Sequence, residues 1–242
     1  MQIEVLADAN AVGIRAANLL CDAVASKPTA ILGLPTGATP IPMYAELNAR
    51  AETHAIDFSR AFGYAIDEFC DATRATPGTN SAFYRQHVRL GLRAMHCPNP
   101  AATEPDIHIR AYADAIRRSG GFDLCVLGIG TTGHVAFNEP GSTRDSRARI
   151  VELVPTSRQA HVATFGSLDA VPARGITLGI ADLLDARAIL VLATGAHKAD
   201  IVRRAIEGPM TADIPASWLQ AHPAVTWLLD DQAAASWSSR PG

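Results

Sequence analysis

Short apolar runs alternate with stretches of helical spacing along most of this chain. Residues 8–25 carry Val12, Ile14, Leu19, Leu20 and Val24 at helical spacing, which predicts an amphipathic helix broken at Lys27-Pro28. Residues 29–34 then read as a buried strand, and a helical pattern runs on from Pro40 through Met43, Tyr44 and Leu47. A second strand is predicted within residues 58–66, at residues 61–66, and a helix begins at Asn80. Another helix, from about 107 to 118, stops at Gly120-Gly121 before the apolar run 122–127. Later elements are a helix over 157–165, a strand at 175–180 leading into a short helix, and a buried strand at 188–193. A helix then runs to Glu207-Gly208-Pro209, and the final strand at 224–229 ends at Asp230-Asp231. Such alternation predicts a three-layer α/β/α fold with a mostly parallel, Rossmann-like central sheet covered on both faces. All 242 residues are expected in one domain.

Composition narrows the function classes. An apolar fraction of 48% supplies a core, and a formal charge of -3 offers no bulk attraction to nucleic acid or anionic membrane. Any phosphate site must therefore be local. The four cysteines are scattered without a CxxC pair, which speaks against a metal centre or disulfide framework and for a reducing, cytoplasmic setting. No apolar run approaches the ~18 residues of a membrane span. The expected partner is a small molecule, with homo-oligomerisation left open.

Candidate chemistry gathers at predicted strand ends, where open α/β sheets bind ligands. The stretch Gly128-Ile129-Gly130-Thr131-Thr132-Gly133-His134-Val135-Ala136-Phe137-Asn138-Glu139-Pro140 follows the 122–127 run directly. Its Gly-x-Gly alone is compatible with an ordinary nucleotide-type turn. His134 and Glu139 together make a proton-transfer unit. Pro35-Thr36-Gly37-Ala38-Thr39-Pro40 lies between a strand and a helix, where free N–H groups and the helix dipole favour a phosphate; Thr39 is the expected N-cap. Asp67 and Glu68 end the second strand and read as a general base, or as a helix cap or surface acid. Lys198, beside another strand end, suits a phosphate, whereas Arg144 to Arg149 read as a solvated basic face.

These motifs, spread over nearly the whole chain, resemble the glucosamine-6-phosphate deaminase (isomerase) family, grouped with the 6-phosphogluconolactonases. The resemblance rests on 32–40 as phosphate loop, the Asp67-Glu68 pair, and above all Gly133-His134 with Phe137-Asn138-Glu139-Pro140-Gly141; lactonases share the Gly-His but lack Asn-Glu-Pro. It implies that Asp67 moves a proton between C2 and C1 of an aminosugar phosphate and that His134, aided by Glu139, opens the sugar ring. Thr36, Gly37, Ala38, Thr39 and Lys198 would hold the phosphate, and neither metal nor organic cofactor would be needed. Two departures stand out. Thr132 replaces the family's Asp before Gly-His, and Ala163 replaces a phosphate-binding Arg, for which Arg158 is the candidate substitute. The alternatives are the same chemistry on galactosamine 6-phosphate, a 6-phosphogluconolactonase, and a sugar-phosphate sensor with little turnover.

Overall fold

The computed structural model describes residues 1–238. Its strands are β1 (Gln2–Leu6), β2 (Ile31–Leu34), β3 (Phe62–Ala65), β4 (Asp67–Phe69), β5 (Ala94–His96), β6 (Leu124–Gly128), β7 (Arg149–Glu152), β8 (Arg174–Thr177), β9 (Ile189–Ala193) and β10 (Val225–Asp230). The α-helices are α1 (Ala9–Ser26), α2 (Ile41–Glu52), α3 (Asn80–His87), α4 (Pro105–Arg118), α5 (Pro155–Ala160), α6 (Val162–Phe165), α7 (Ile180–Leu184) and α8 (Ala199–Glu207). Among the described residues, no helix is long and apolar enough to cross a membrane.

Seven strands form one parallel sheet in the order β1-β10-β9-β6-β2-β3-β5. Alternate side chains serve opposite faces, as the pleat requires. Leu124 and Val126 of β6 join one apolar cluster with α1, α2 and α3, while Cys125 and Leu127 join another with α4, α7 and α8. The expected three-layer architecture is thus observed. The chain leaves β2 toward the first layer, where α2 packs, and leaves β6 toward the second, where Ile129 and Val135 are buried. Adjacent strands whose connections diverge leave a crevice at their carboxyl ends.

A smaller antiparallel sheet, β4-β8-β7, caps one end of that crevice. Here the sequence reading needs correction. Asp67 and Glu68 do not simply trail a core strand; they form β4, paired with Thr177 and Ile176. Strands β1, β5 and β7 are short or half-buried, and their apolar pattern is correspondingly weak. The helix expected over 157–165 is two short helices that break at His161, whose ring turns onto Phe69 at a centroid distance of 5.1 Å. Thr39 is not a helix cap: α2 starts after Pro40 with no side-chain cap bond.

Helix α1 carries Gly13 where it crosses the start of α2. A Cβ there would lie 2.5 Å from Pro42 Cβ, so only glycine permits the close approach that seats α2 and the loop before it. Gly13→Ala is expected to destabilise the protein by about 1–3 kcal/mol through overpacking, read as a lower urea midpoint with an unchanged m-value.

Candidate active site

The carboxyl ends of β2, β3, β6 and β9 surround a cavity of about 540 Å³. Thr36, Gly37, Ala38, Thr39, Asp67, His134 and Lys198 all line it, so the sequence-predicted groups converge.

The 35–40 loop is pinned from below. Tyr44 and Tyr84, both buried, donate their hydroxyls at 2.6 Å to the carbonyls of Pro35 and Leu34. The loop then passes into α2, where Pro40 and Pro42 carry no N–H and the Ile41 amide already donates to the Ala38 carbonyl at 3.2 Å, so the N–H groups open to an anion are those of the loop residues before the helix, with the helix dipole behind them. Across the cavity, Lys198 donates to the Ile129 carbonyl at 2.7 Å, and burial draws its ammonium below the usual lysine range. Asp230 at the end of β10 accepts from the Gly195 amide and so fixes the turn leading to Lys198.

His134 sits in the loop after β6. Its imidazole occupies the space a Cβ on Gly130 would fill, so Gly130 must lack one. Nδ1 lies 2.8 Å from Thr132 Oγ1, 3.5 Å from Ser157 Oγ and 3.5 Å from Glu139 Oε2. With Nδ1 facing these groups, Nε2 is the nitrogen left for a ligand. Glu139 is buried behind the ring, and neither of its carboxylate oxygens makes a hydrogen bond among the described residues. Burial alone raises its carboxyl; the proximity of His134, the Ser157 hydroxyl and the Val154 amide outweighs this and holds it below the usual range. That lowering reflects nearby charge and dipoles rather than formed bonds.

Asp67 and Glu68 point to different tasks. Asp67 opens on the cavity, and burial, then the adjacent Glu68 charge, push its carboxyl up to about 8 against the pull of an Asn80 hydrogen bond. Glu68 is fully buried and does not line the cavity. It accepts from the amides of Phe69, Asn80 and Ser81 and from the Ser81 hydroxyl, tying β4 to the first turn of α3. Of the two readings of this pair, the helix anchor holds for Glu68.

Two further readings are corrected. Arg158 is directed away from the cavity, donating to the Leu168 and Val171 carbonyls, so it does not replace the phosphate-binding arginine. Arg149 is not part of a solvated basic face: half-buried in β7, it donates to Asn138 Oδ1 and Ser142 Oγ and braces the Asn-Glu-Pro loop. Asn138 completes that brace by donating to the Val135 and Leu178 carbonyls. Asn80, Ser157, His161 and His197 reach the site without having been singled out in the sequence. Only tertiary structure assembles Asn80, Ser157 and His161, which stand in no glycine-rich or acidic motif at a strand end; His197 stands beside Lys198 in the turn after β9, and that position was the signal for it.

A family profile described as glucosamine-6-phosphate isomerases/6-phosphogluconolactonase matches residues 5–227. The chain is 41% identical over 240 residues to a glucosamine-6-phosphate deaminase of Pseudarthrobacter chlorophenolicus, covering 98% of this chain and 92% of the relative. It is 37% identical over 238 residues to the Rhodopirellula baltica deaminase, covering 97% and 95%. Among solved structures, a monomeric glucosamine-6-phosphate deaminase superposes with a TM-score of 0.94 at 32% identity, covering 98% of this chain and all of that one (100%). The 6-phosphogluconolactonase of Trypanosoma brucei superposes at 0.75 with 20% identity over 97% of each chain, a likeness of fold alone.

Glu68→Ala is expected to cost about 3 kcal/mol, because it strips three backbone N–H groups of a charged acceptor in a dry place. Glu68→Gln recovers little, since its NH2 would meet a donor. Urea denaturation of both variants checks this; a loss under about 0.5 kcal/mol, the range of neutral surface changes, would overturn it.

Proposed function

The chain belongs to the glucosamine-6-phosphate isomerase/6-phosphogluconolactonase family, and from that premise we propose how its cavity converts glucosamine 6-phosphate and water to fructose 6-phosphate and ammonia. One observation carries the assignment of roles: two proton-transfer groups, Asp67 and His134, open on the same cavity as the loop that starts α2. Ester hydrolysis by activated water needs one such base. Opening a sugar ring and then moving a carbon-bound proton needs two, at different atoms of one substrate.

The phosphate is held by the N–H groups from Gly37 to Thr39 and by the Lys198 ammonium. Fixed at that remote end, the sugar is oriented for reaction. His134 Nε2 takes the proton of the anomeric hydroxyl and returns it to the ring oxygen, opening the ring. Thr132 meets Nδ1 and keeps the imidazole in one orientation. The Glu139 carboxylate offsets the positive charge that the ring gains in passing. In the open aldose, C2 bears the amino group and an acidic hydrogen. Asp67 removes that hydrogen as the C1 carbonyl oxygen takes up a proton, giving an enolamine, and Asp67 returns its proton to C1 as the nitrogen gives one up. The product is a C2 imine, which adds water and loses ammonia to give the ketose phosphate. Both proton transfers are internal, so the net reaction consumes only water.

A carboxyl raised to about 8 is a stronger base than an ordinary carboxylate, at the cost of being ionised only at higher pH. The base must be ionised to act, so kcat/KM is expected to rise with pH along a limb set by Asp67.

Ammonia release from glucosamine 6-phosphate and galactosamine 6-phosphate, and acid release from 6-phosphogluconolactone, test the assignment. Ammonia from glucosamine 6-phosphate is expected to dominate. Asp67→Asn keeps size and polarity but removes the base, and turnover should fall about 10²–10⁴-fold. His134→Gln should be milder, because sugar phosphates open spontaneously and the open form still meets Asp67. Wild-type turnover in Asp67→Asn would end this mechanism.

A further inference from the structure

Asn80 is the first residue of α3 and is 4% exposed. It joins two parts of the site that lie far apart in sequence. Its Nδ2 donates to Asp67 Oδ1 at 2.6 Å and to the Asp67 carbonyl at 3.0 Å. Its Oδ1 accepts from Thr36 Oγ1 at 2.9 Å. The amide orientation is unambiguous, because a backbone carbonyl can only accept and must face the NH2. Thr36 is therefore the donor in its bond, and its single hydroxyl hydrogen is committed to Asn80. A hydroxyl used in this way turns lone pairs, not a donor, toward an incoming phosphate.

The same network distinguishes the two oxygens of Asp67. Oδ1 is bound to Asn80, whereas Oδ2 makes no hydrogen bond among the described residues and is not shut away from the cavity. Resting on the assignment of Asp67 as the C2–C1 base, we propose that Asn80 is a positioning residue that couples the phosphate loop to that base. It holds Asp67 by Oδ1, with Thr36 bracing its far side, so that Oδ2 alone exchanges the substrate proton. Thr36 then acts through this chain, and the backbone of the loop, with Lys198, holds the phosphate.

Several groups face Asp67. Glu68 adjoins it on β4, Tyr84 lies beside Asn80 on α3 with its hydroxyl on the Leu34 carbonyl, and His134, His161 and Lys198 share the cavity. Of these elements, α3 supplies the one hydrogen bond to the carboxylate, through Asn80. Removing it should make the carboxylate harder to form.

The experiment is steady-state ammonia release from glucosamine 6-phosphate across pH, using the full chain and the variants Asn80→Ala, Thr36→Val and Asp67→Asn. Alanine at 80 keeps the backbone N–H that Glu68 accepts, so the start of α3 is preserved. For Asn80→Ala, kcat is expected to fall about 10²-fold, the scale of a misplaced reacting group, with KM little changed. The acidic limb of kcat/KM should move to higher pH. Thr36→Val should show the same pattern more weakly, in kcat and in the limb rather than in KM. If Asn80→Ala has wild-type kcat and limb while Asp67→Asn is inactive, the positioning role is refuted and the base stands. An active Asp67→Asn refutes the base itself. If Asn80→Ala does not fold, Thr36→Val decides: a raised KM with kcat and limb unchanged makes Thr36 a plain phosphate donor and overturns the proposal.

Discussion

A carboxylate without access to water governs the layout of this molecule. Glu68 is fully buried, and it survives as an acceptor because four donors from β4 and the start of α3 converge on it. Those bonds fix where the long connection from β4 returns to the sheet, and hence where Asn80 arrives. Asn80 in turn reaches both Asp67 and Thr36. The cost of burying one charge is thus converted into the placement of another. The Glu68 charge also contributes to raising the Asp67 carboxyl, second to burial itself. For the proposed base, Asp67, an adjacent buried anchor is a compact way to set its strength, because one element serves geometry and electrostatics together.

Anion binding in a chain of net charge -3 follows the same economy. Two arginines near the site are spent on structure: Arg158 on loop carbonyls and Arg149 on the Asn138 brace. Among the described residues lining the cavity, what remains for the proposed phosphate is the loop that leads into α2 and a single ammonium, Lys198, tied to the Ile129 carbonyl. Such a site attracts its anion only at short range, since little long-range field supports it. Discrimination at such a site rests on fit to the loop rather than on bulk charge.

The sequence made the main sheet legible because its central strands are buried on both faces and appear as unbroken apolar runs. Strands β2, β3, β6 and β9 end at Leu34, Ala65, Gly128 and Ala193, within two residues of where those runs predict. The half-buried strands β1, β5 and β7 lack that signature and stayed hidden. Glycine loops at strand ends revealed the 35–40 loop and the His134 turn, both of which line the cavity. Groups brought in from helix starts and breaks, Asn80 against Asp67 and His161 on the cavity wall, carry no local signal. Their positions depend on a buried ion and on an aromatic cluster that only the folded chain brings together. The arginines misled for a related reason. Sequence shows a cation but not whether a carbonyl waits beside it.

Thr132 stands where the family resemblance leads one to expect an acid, and the geometry shows how the hydroxyl serves the ring there. The imidazole needs a partner at Nδ1, and the threonine hydroxyl supplies one at 2.8 Å. A hydroxyl accepts from or donates to the ring as its proton state requires, which a carboxylate cannot do. Negative charge near the ring comes from Glu139 at 3.5 Å, already buried and without a hydrogen bond of its own among the described residues. A second carboxylate in that space would face the first across a poorly hydrated gap, and like charges there raise one another's cost of ionisation. The neutral hydroxyl avoids that repulsion. In the proposed ring opening the work is thus divided: Thr132 meets Nδ1 and sets the direction of the ring, and Glu139 supplies the nearby negative charge.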